Sequence, residues 1–285
     1  MNNFIKRTVS GIGFAAVMLA AFLTNEYVFG AVMLFSLIVM MWEFLRMTCG
    51  TDYKYSQILS ILSGATLFTM VYCYRAFAFP GRLIILAFVP VFLLMINSLY
   101  VKDKTRFDKF ANLYTAILYI AVPWSVLNFA VFSPEGAFNG KLLLCFFCII
   151  WGSDVGAYLF GITLGQKYGK KLFPSISPKK SWIGFWGGML MAIAVSVGLY
   201  FIGWFPEFSV HNTTNICNYV AMAILLHITG VYGDLIESQW KRHYNVKDSG
   251  NIIPGHGGLL DRFDSALSAI PMGVIYLVVA HVINL

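Results

Sequence analysis

LLLCFFCIIWGSDVGAYLFGITL, residues 142–164, decides how the rest of the chain is read. The run carries a single charge, Asp154, and is long enough to cross about 30 Å of hydrocarbon as a helix. Lipid offers no partners to backbone N–H and C=O groups, so such a run must satisfy them internally, as a helix does. An aspartate at mid-membrane costs roughly 2.5–3.5 kcal/mol on insertion scales, which makes Asp154 a functional-site candidate facing protein or water. Gly152, Ser153, Gly156 and Ala157 beside it are small enough to let another helix pack close.

Working outward, the whole 285-residue chain is 59% hydrophobic and only 12% charged, with a mean hydropathy of +0.73. That balance excludes an ordinary soluble domain. Apolar windows fall at residues 8–24, 27–47, 56–78, 83–100, 111–132, 142–164, 183–205, 217–237 and 264–283, so the expected fold class is all-α, a polytopic integral membrane protein of about nine spans. The first window reads as a retained helix, since further spans follow it. Pro123 interrupts the fifth. Residues 1–135 read as a transmembrane scaffold with few polar groups, and residues 136–285 as a catalytic region with inner loops at 165–182 and 238–263. Cys145 and Cys148 form a CxxC inside an apolar run and read as small core residues; His227 and His281 likewise read as packing residues.

Seventeen of the twenty Lys and Arg residues fall on one side of this topology, leaving Arg75, Arg82 and Lys141 on the other. By the positive-inside rule the N-terminus is cytoplasmic and the C-terminus outside, which requires an odd number of spans. Lys102, Lys104 and Arg106 contribute to that count, and the sequon at Asn212 falls on the outer side. No P-loop, no HExxH and no internal repeat is present.

Three further groups carry chemistry. Asp234, Glu237, Ser238 and Lys241 share a helix face at the inner end of the eighth window. Asp261 and Asp264 open the ninth, where capping accounts for one of them but not for three aspartates at the ends of two helices joined by one loop. Hard oxygens of this kind are what Mg²⁺ takes, with waters and substrate phosphates filling its other positions. The loop between, KDSGNIIPGHGGLLDRFD (247–264), adds glycines whose amides can curl around an anion, whose charge Lys241 and Arg242 before it and Lys247 and Arg262 within it could neutralise. In the other inner loop, Ser177-Pro178-Lys179-Lys180-Ser181-Trp182 suits phosphate or lipid-headgroup contact.

Ser238-Gln239-Trp240-Lys241-Arg242, Lys247-Asp248, Gly250, Pro254, His256-Gly257-Gly258 and Asp261-Arg262-Phe263-Asp264 follow one long pattern, which resembles that of the phosphatidate cytidylyltransferases. Asp154-Val155-Gly156-Ala157-Tyr158 and the Ser177–Trp182 segment extend the resemblance over about residues 140–270. Trp240, Val155 and Ile183 depart from it. The resemblance implies transfer of a cytidylyl group from CTP to phosphatidate, a bacterial inner-membrane setting with the site facing the cytoplasm, no nucleic-acid partner, and a homodimer. It further implies Mg²⁺, with room for a second cation, on Asp234, Asp261 and Asp264. Lys241, Arg242, Lys247, Arg262 and the Gly257-Gly258 amides would hold nucleotide and pyrophosphate, together with Ser238 and Asp248. Asp154 with Ser177, Lys179, Lys180 and Ser181 would face the lipid phosphate or complete the metal environment, and His256 would be a positioning donor. The rival readings are another CTP-dependent lipid or polyprenol phosphotransferase, and a lipid or anion transporter.

Overall fold

The computed structural model describes residues 3–101, 107–204 and 216–280. Lys102, Lys104, Arg106, the Asn212 sequon, His281 and the side chains of Lys6 and Arg7 lie outside the described residues.

The chain forms α1 (Asn3–Leu23), α2 (Glu26–Cys49), α3 (Lys54–Ala76), α4 (Gly81–Leu99), α5 (Phe107–Val131) and α6 (Lys141–Tyr168). A small hairpin of β1 (Lys171–Phe173) and β2 (Ser177–Ser181) follows, then α7 (Trp182–Phe201), α8 (Ile216–His243) and α9 (Leu260–Val279). Among the described residues eight helices, α2 to α9, are long and apolar enough to cross a membrane, and Thr8–Leu23 of α1 is a shorter apolar helix. The protein is an all-α polytopic membrane protein, with the hairpin as its one departure from helix among the named elements.

Local chemistry explains the element ends. Asn25 caps α2, its side-chain oxygen accepting the Val28 N–H at 3.0 Å, a contact worth about 1 kcal/mol. In α5 the helix widens to a π-turn over Ile117–Ala121 just before Pro123. Proline has no N–H to give and its ring crowds the carbonyl four residues back, so the extra residue in the turn absorbs the conflict. The 165–182 connection is ordered as an antiparallel pair, Lys171 opposite Ser181 and Phe173 opposite Ser177. α8 continues past the hydropathy window to His243, and α9 already begins at Leu260. Glu237, Ser238 and Lys241 end the apolar window there, but they do not end the backbone hydrogen bonding.

The chain divides into two compact units. The first comprises Met1–Phe138 and His243–Phe263. Its core holds Phe29, Met33, Leu37, Phe44 and Trp124, all essentially without exposure, and the Trp124 indole N–H donates to the Met33 carbonyl at 2.9 Å. Phe263 joins this core, its ring 4.8 Å from that of Trp124 and 5.5 Å from that of Phe14. The second unit comprises Asn139–Arg242 and Asp264–Leu285, with Cys145, Phe146, Met222, Leu226 and Ile270 buried at its centre.

Glycines bring α6 and α7 of the second unit nearly backbone to backbone. A Cβ on Gly156 would lie 2.8 Å from the Gly187 carbonyl oxygen, and one on Gly188 would lie 2.9 Å from that of Ser153. This is the close small-residue packing that membrane helices use in place of a hydrophobic driving force. Gly156→Val is expected to destabilise the protein by about 1–3 kcal/mol through overpacking. Thermal unfolding in detergent would check it, with a drop in Tm expected and an unchanged Tm counting against this packing.

Candidate active site

Within the second unit, α6, the hairpin, α7 and α8 surround a cavity of about 630 Å³. Ala157, Ile162, Phe185 and Val231 give it apolar walls, while Asp154, Asp234, Lys179, Lys180 and Ser181 supply polar groups. The hairpin delivers the two lysines because β2 leads straight into α7, and Ser181 is the hinge between them. Its hydroxyl caps α7 by accepting the Gly184 N–H at 3.1 Å. The neighbouring chain leaves Ser181 no slack: a Cβ on Gly165 would collide with its hydroxyl, and one on Gly169 would sit 3.2 Å from its Cβ. Gln166 of α6 braces the same strand, donating to the Lys179 carbonyl at 3.0 Å, and Lys171 donates to the Gln166 side chain at 3.0 Å. Ser177 lies at the start of β2, opposite Phe173.

Lys180 forms an ion pair with Asp234, and the Ser238 hydroxyl donates to the other oxygen of the same carboxylate at 3.1 Å. Both side chains of the pair are more than a quarter exposed, 27% for Lys180 and 31% for Asp234. A pair that wet contributes about 0–1 kcal/mol. A phosphate entering the cavity can therefore draw the ammonium away from Asp234 at small cost. Asp264 stands beside this group because α8 and α9 touch through a glycine, where a Cβ on Gly233 would lie 2.7 Å from the Asp264 carbonyl oxygen. The Asp264 carboxyl interacts electrostatically with Asp234, Lys241 and Asp154 and accepts the Ser265 N–H at 2.6 Å. Lys241 pairs with Glu237 one turn earlier on α8, and both are buried. Arg242 is exposed and its Nε donates to the Ile176 carbonyl of the hairpin turn.

Deeper in this unit, His227 is buried, hydrogen-bonds to the Ser153 hydroxyl at 2.7 Å and lies 4.7 Å from the Phe185 ring. Cys145 is buried too, its thiol 3.8 Å from the Trp204 carbonyl.

The first unit folds the glycine-rich loop tightly. Ile253 and Gly257 form a bridge, and Gly257 has φ +83°, a left-handed conformation open to glycine. Both Asp261 oxygens accept the Ser249 N–H, at 2.9 and 3.2 Å, and one of them also accepts the Gly258 N–H at 2.8 Å. Gly258 thus gives its amide to Asp261, and Asp261 shapes the loop. Arg262 donates to the His256 carbonyl at 2.8 Å. The His256 ring meets the Ser10 hydroxyl of α1 at 2.9 Å, and that hydroxyl also reaches the Pro254 carbonyl. Lys247 and Asp248 lie exposed at the loop's start.

Sequence reasoning passed over Glu43 of α2. It is fully buried, accepts the Leu260 N–H at 2.8 Å and lies 3.4 Å from the Ser249 hydroxyl. The signal was available: a single acid in MLFSLIVMMWEFL is as anomalous as Asp154 in its own span.

Asp234 and Asp264 interact electrostatically, and their carboxylate oxygens are of the hard kind that Mg²⁺ takes alongside waters and substrate phosphates. Among the described residues no three His, Cys, Asp or Glu side chains gather as a metal site. Carboxylates and lysines at one apolar-walled cavity of a polytopic protein define a class, membrane proteins with a charged cavity set among their helices. The family model described as the cytidylyltransferase family matches residues 5–280, and the chain belongs to that family. It is 38% identical over 165 residues to a phosphatidate cytidylyltransferase of Staphylococcus haemolyticus (strain JCSC1435), over 58% of this chain and 60% of that protein. It is 41% identical over 162 residues to a phosphatidate cytidylyltransferase of Rickettsia bellii (strain RML369-C), over 56% of this chain and 66% of the relative. The matched stretch is less than two thirds of the length of either relative.

Proposed function

We propose that this protein transfers a cytidylyl group from CTP to phosphatidate, releasing pyrophosphate. A phosphate oxygen of phosphatidate attacks the α-phosphorus of CTP, and the bond from that phosphorus to the bridging oxygen breaks, pyrophosphate taking the electron pair. The observation that carries the reading is the cavity itself, where Lys179 and Lys180 stand over apolar walls beside Asp154 and Asp234. A lipid needs both halves: the walls take its glycerol and acyl ends, and Lys180 exchanges Asp234 for the headgroup phosphate. Family membership over residues 5–280 supports the nucleotide half.

Between two anions the main barrier is repulsion, so the residues act by positioning and charge neutralisation. The attacking phosphate is already ionised near neutral pH, and no strong base is required. Asp234 and Asp264 would hold Mg²⁺, with Ser238 orienting Asp234. That ion would supply positive charge to the CTP phosphates. Arg242, Lys247 and Arg262 would take nucleotide and pyrophosphate, and His256 would act as a positioning donor. Asp261 is assigned to building the loop. The basic-residue partition supports a cytoplasmic N-terminus and a site open to cytoplasmic CTP, while a bacterial inner membrane rests on the family resemblance. A homodimer rests on the family resemblance, and the mass of the protein in nanodiscs would read it directly.

Purified protein in phosphatidate-containing nanodiscs, given Mg²⁺ and CTP labelled at either the α- or the γ-phosphate, tests the reading. The α-label should enter lipid in step with pyrophosphate release. Entry of the γ-label would make the protein a kinase instead. Movement of phosphatidate or anion across proteoliposomes without CTP consumption would make it a transporter.

A further inference from the structure

Glu43 stands on a helix that the chemistry above does not use, yet its carboxylate is buried against the loop that the chemistry needs. One oxygen accepts the Leu260 N–H, at the first residue of α9, and lies near the Ser249 hydroxyl. The other oxygen is buried with no hydrogen-bond partner among the described residues. Two loop glycines exist in the carboxylate's shadow: a Cβ on Gly258 would lie 2.7 Å from its Oε2, and one on Gly250 would collide with its Oε1. Gly250 does not have a positive φ, so its demand for glycine comes from Glu43 and not from backbone conformation. Burying an acid in a membrane helix is costly, which by default makes Glu43 a functional-site candidate. Here its use is local, because Ser249 and Gly258 are also the residues whose amides bind Asp261.

We infer that Glu43 is a positioning residue of the nucleotide half-reaction: it sets the 249–261 loop and the first turn of α9, and through them the placement of the CTP phosphates. This rests on the cytidylyltransferase reading for its substrate, though not for its geometry. Glu43 touches no reacting atom; it acts through Ser249, Gly258 and Leu260. Displacing a loop by about 1 Å is enough to cost on the order of 100-fold in rate.

The test separates positioning from bulk stability. Glu43→Ala should lower kcat/KM for CTP on the order of 100-fold while KM for phosphatidate stays within about twofold, because the lipid-facing lysines belong to the hairpin. Glu43→Gln, which keeps an oxygen for the Leu260 N–H, should recover most of that loss. Gly250→Ala should impair CTP kinetics in the natural background and add little to Glu43→Ala, since the collision it creates is with Glu43. A folded Glu43→Ala protein with unchanged CTP kinetics, or additive effects in the cycle, would overturn the inference. If Glu43→Ala does not fold, Glu43→Gln and Gly250→Ala decide alone, and equal losses toward both substrates in Gly250→Ala would count against positioning. Should the natural protein turn over no CTP, the functional reading fails first. Hydrogen exchange at the Ser249 and Leu260 amides then stands in, with faster exchange expected in Gly250→Ala and no change overturning the inference.

Discussion

Asp264→Asn is expected to reduce cytidylyl transfer on the order of 1,000-fold with the protein still folded. The carboxyl sits within electrostatic reach of Asp234, Asp154 and Lys241, and α8 approaches the Asp264 backbone closely at Gly233. Asparagine keeps the shape and one oxygen, so the Ser265 N–H still has an acceptor and Tm should hold. What is lost is the charge needed to hold a divalent cation beside Asp234. The loss should appear in kcat and in the Mg²⁺ concentration for half-maximal rate, measured by pyrophosphate release. An unimpaired Asp264→Asn enzyme would remove Asp264 from the site.

Lys241→Met is expected to destabilise the protein by about 3–5 kcal/mol. Lys241 and Glu237 are an i,i+4 pair in which the acid's side chain is 1% exposed and the lysine's 11%. Deleting the ammonium strands a buried carboxylate, whereas removing both charges does not. Lys241→Met combined with Glu237→Gln should therefore recover most of the lost Tm in detergent. The double variant also decides what Lys241 does in the reaction. Restored stability without restored activity would keep it as a nucleotide contact, while full activity would leave it as the partner of Glu237 only.

The acids and bases of the second unit could be read from the chain because each violates a local expectation. Asp154 interrupts an apolar run, Asp234 lies a turn inside a helix end, and the lysines of the hairpin cluster in a connection that needs few. Ser181 shows what this reading leaves out: its cap on Gly184 depends on a strand-to-helix junction that no composition reveals. Gly258 is similar. Its amide was expected to face an anion, and the anion it meets is the carboxylate of Asp261. Glu43 stands within residues 1–135, which read as scaffold because their polar groups are sparse, and a single acid leaves them sparse.

Hydropathy alone determined that this is an all-α membrane protein, because every backbone group in lipid must find its partner within its own segment, which makes span and helix the same decision. The residue types at the helix ends likewise pointed to phosphate chemistry, since an ionisable group in a membrane segment is costly and by default marks a candidate site. Which charges meet was decided by tertiary structure. Lys180 reaches Asp234 only through the hairpin, and Glu43 reaches Leu260 across 217 residues of sequence. Such pairings depend on how closely helices approach, and that distance is set by single glycines such as Gly156 and Gly233, whose neighbours lie far away along the chain.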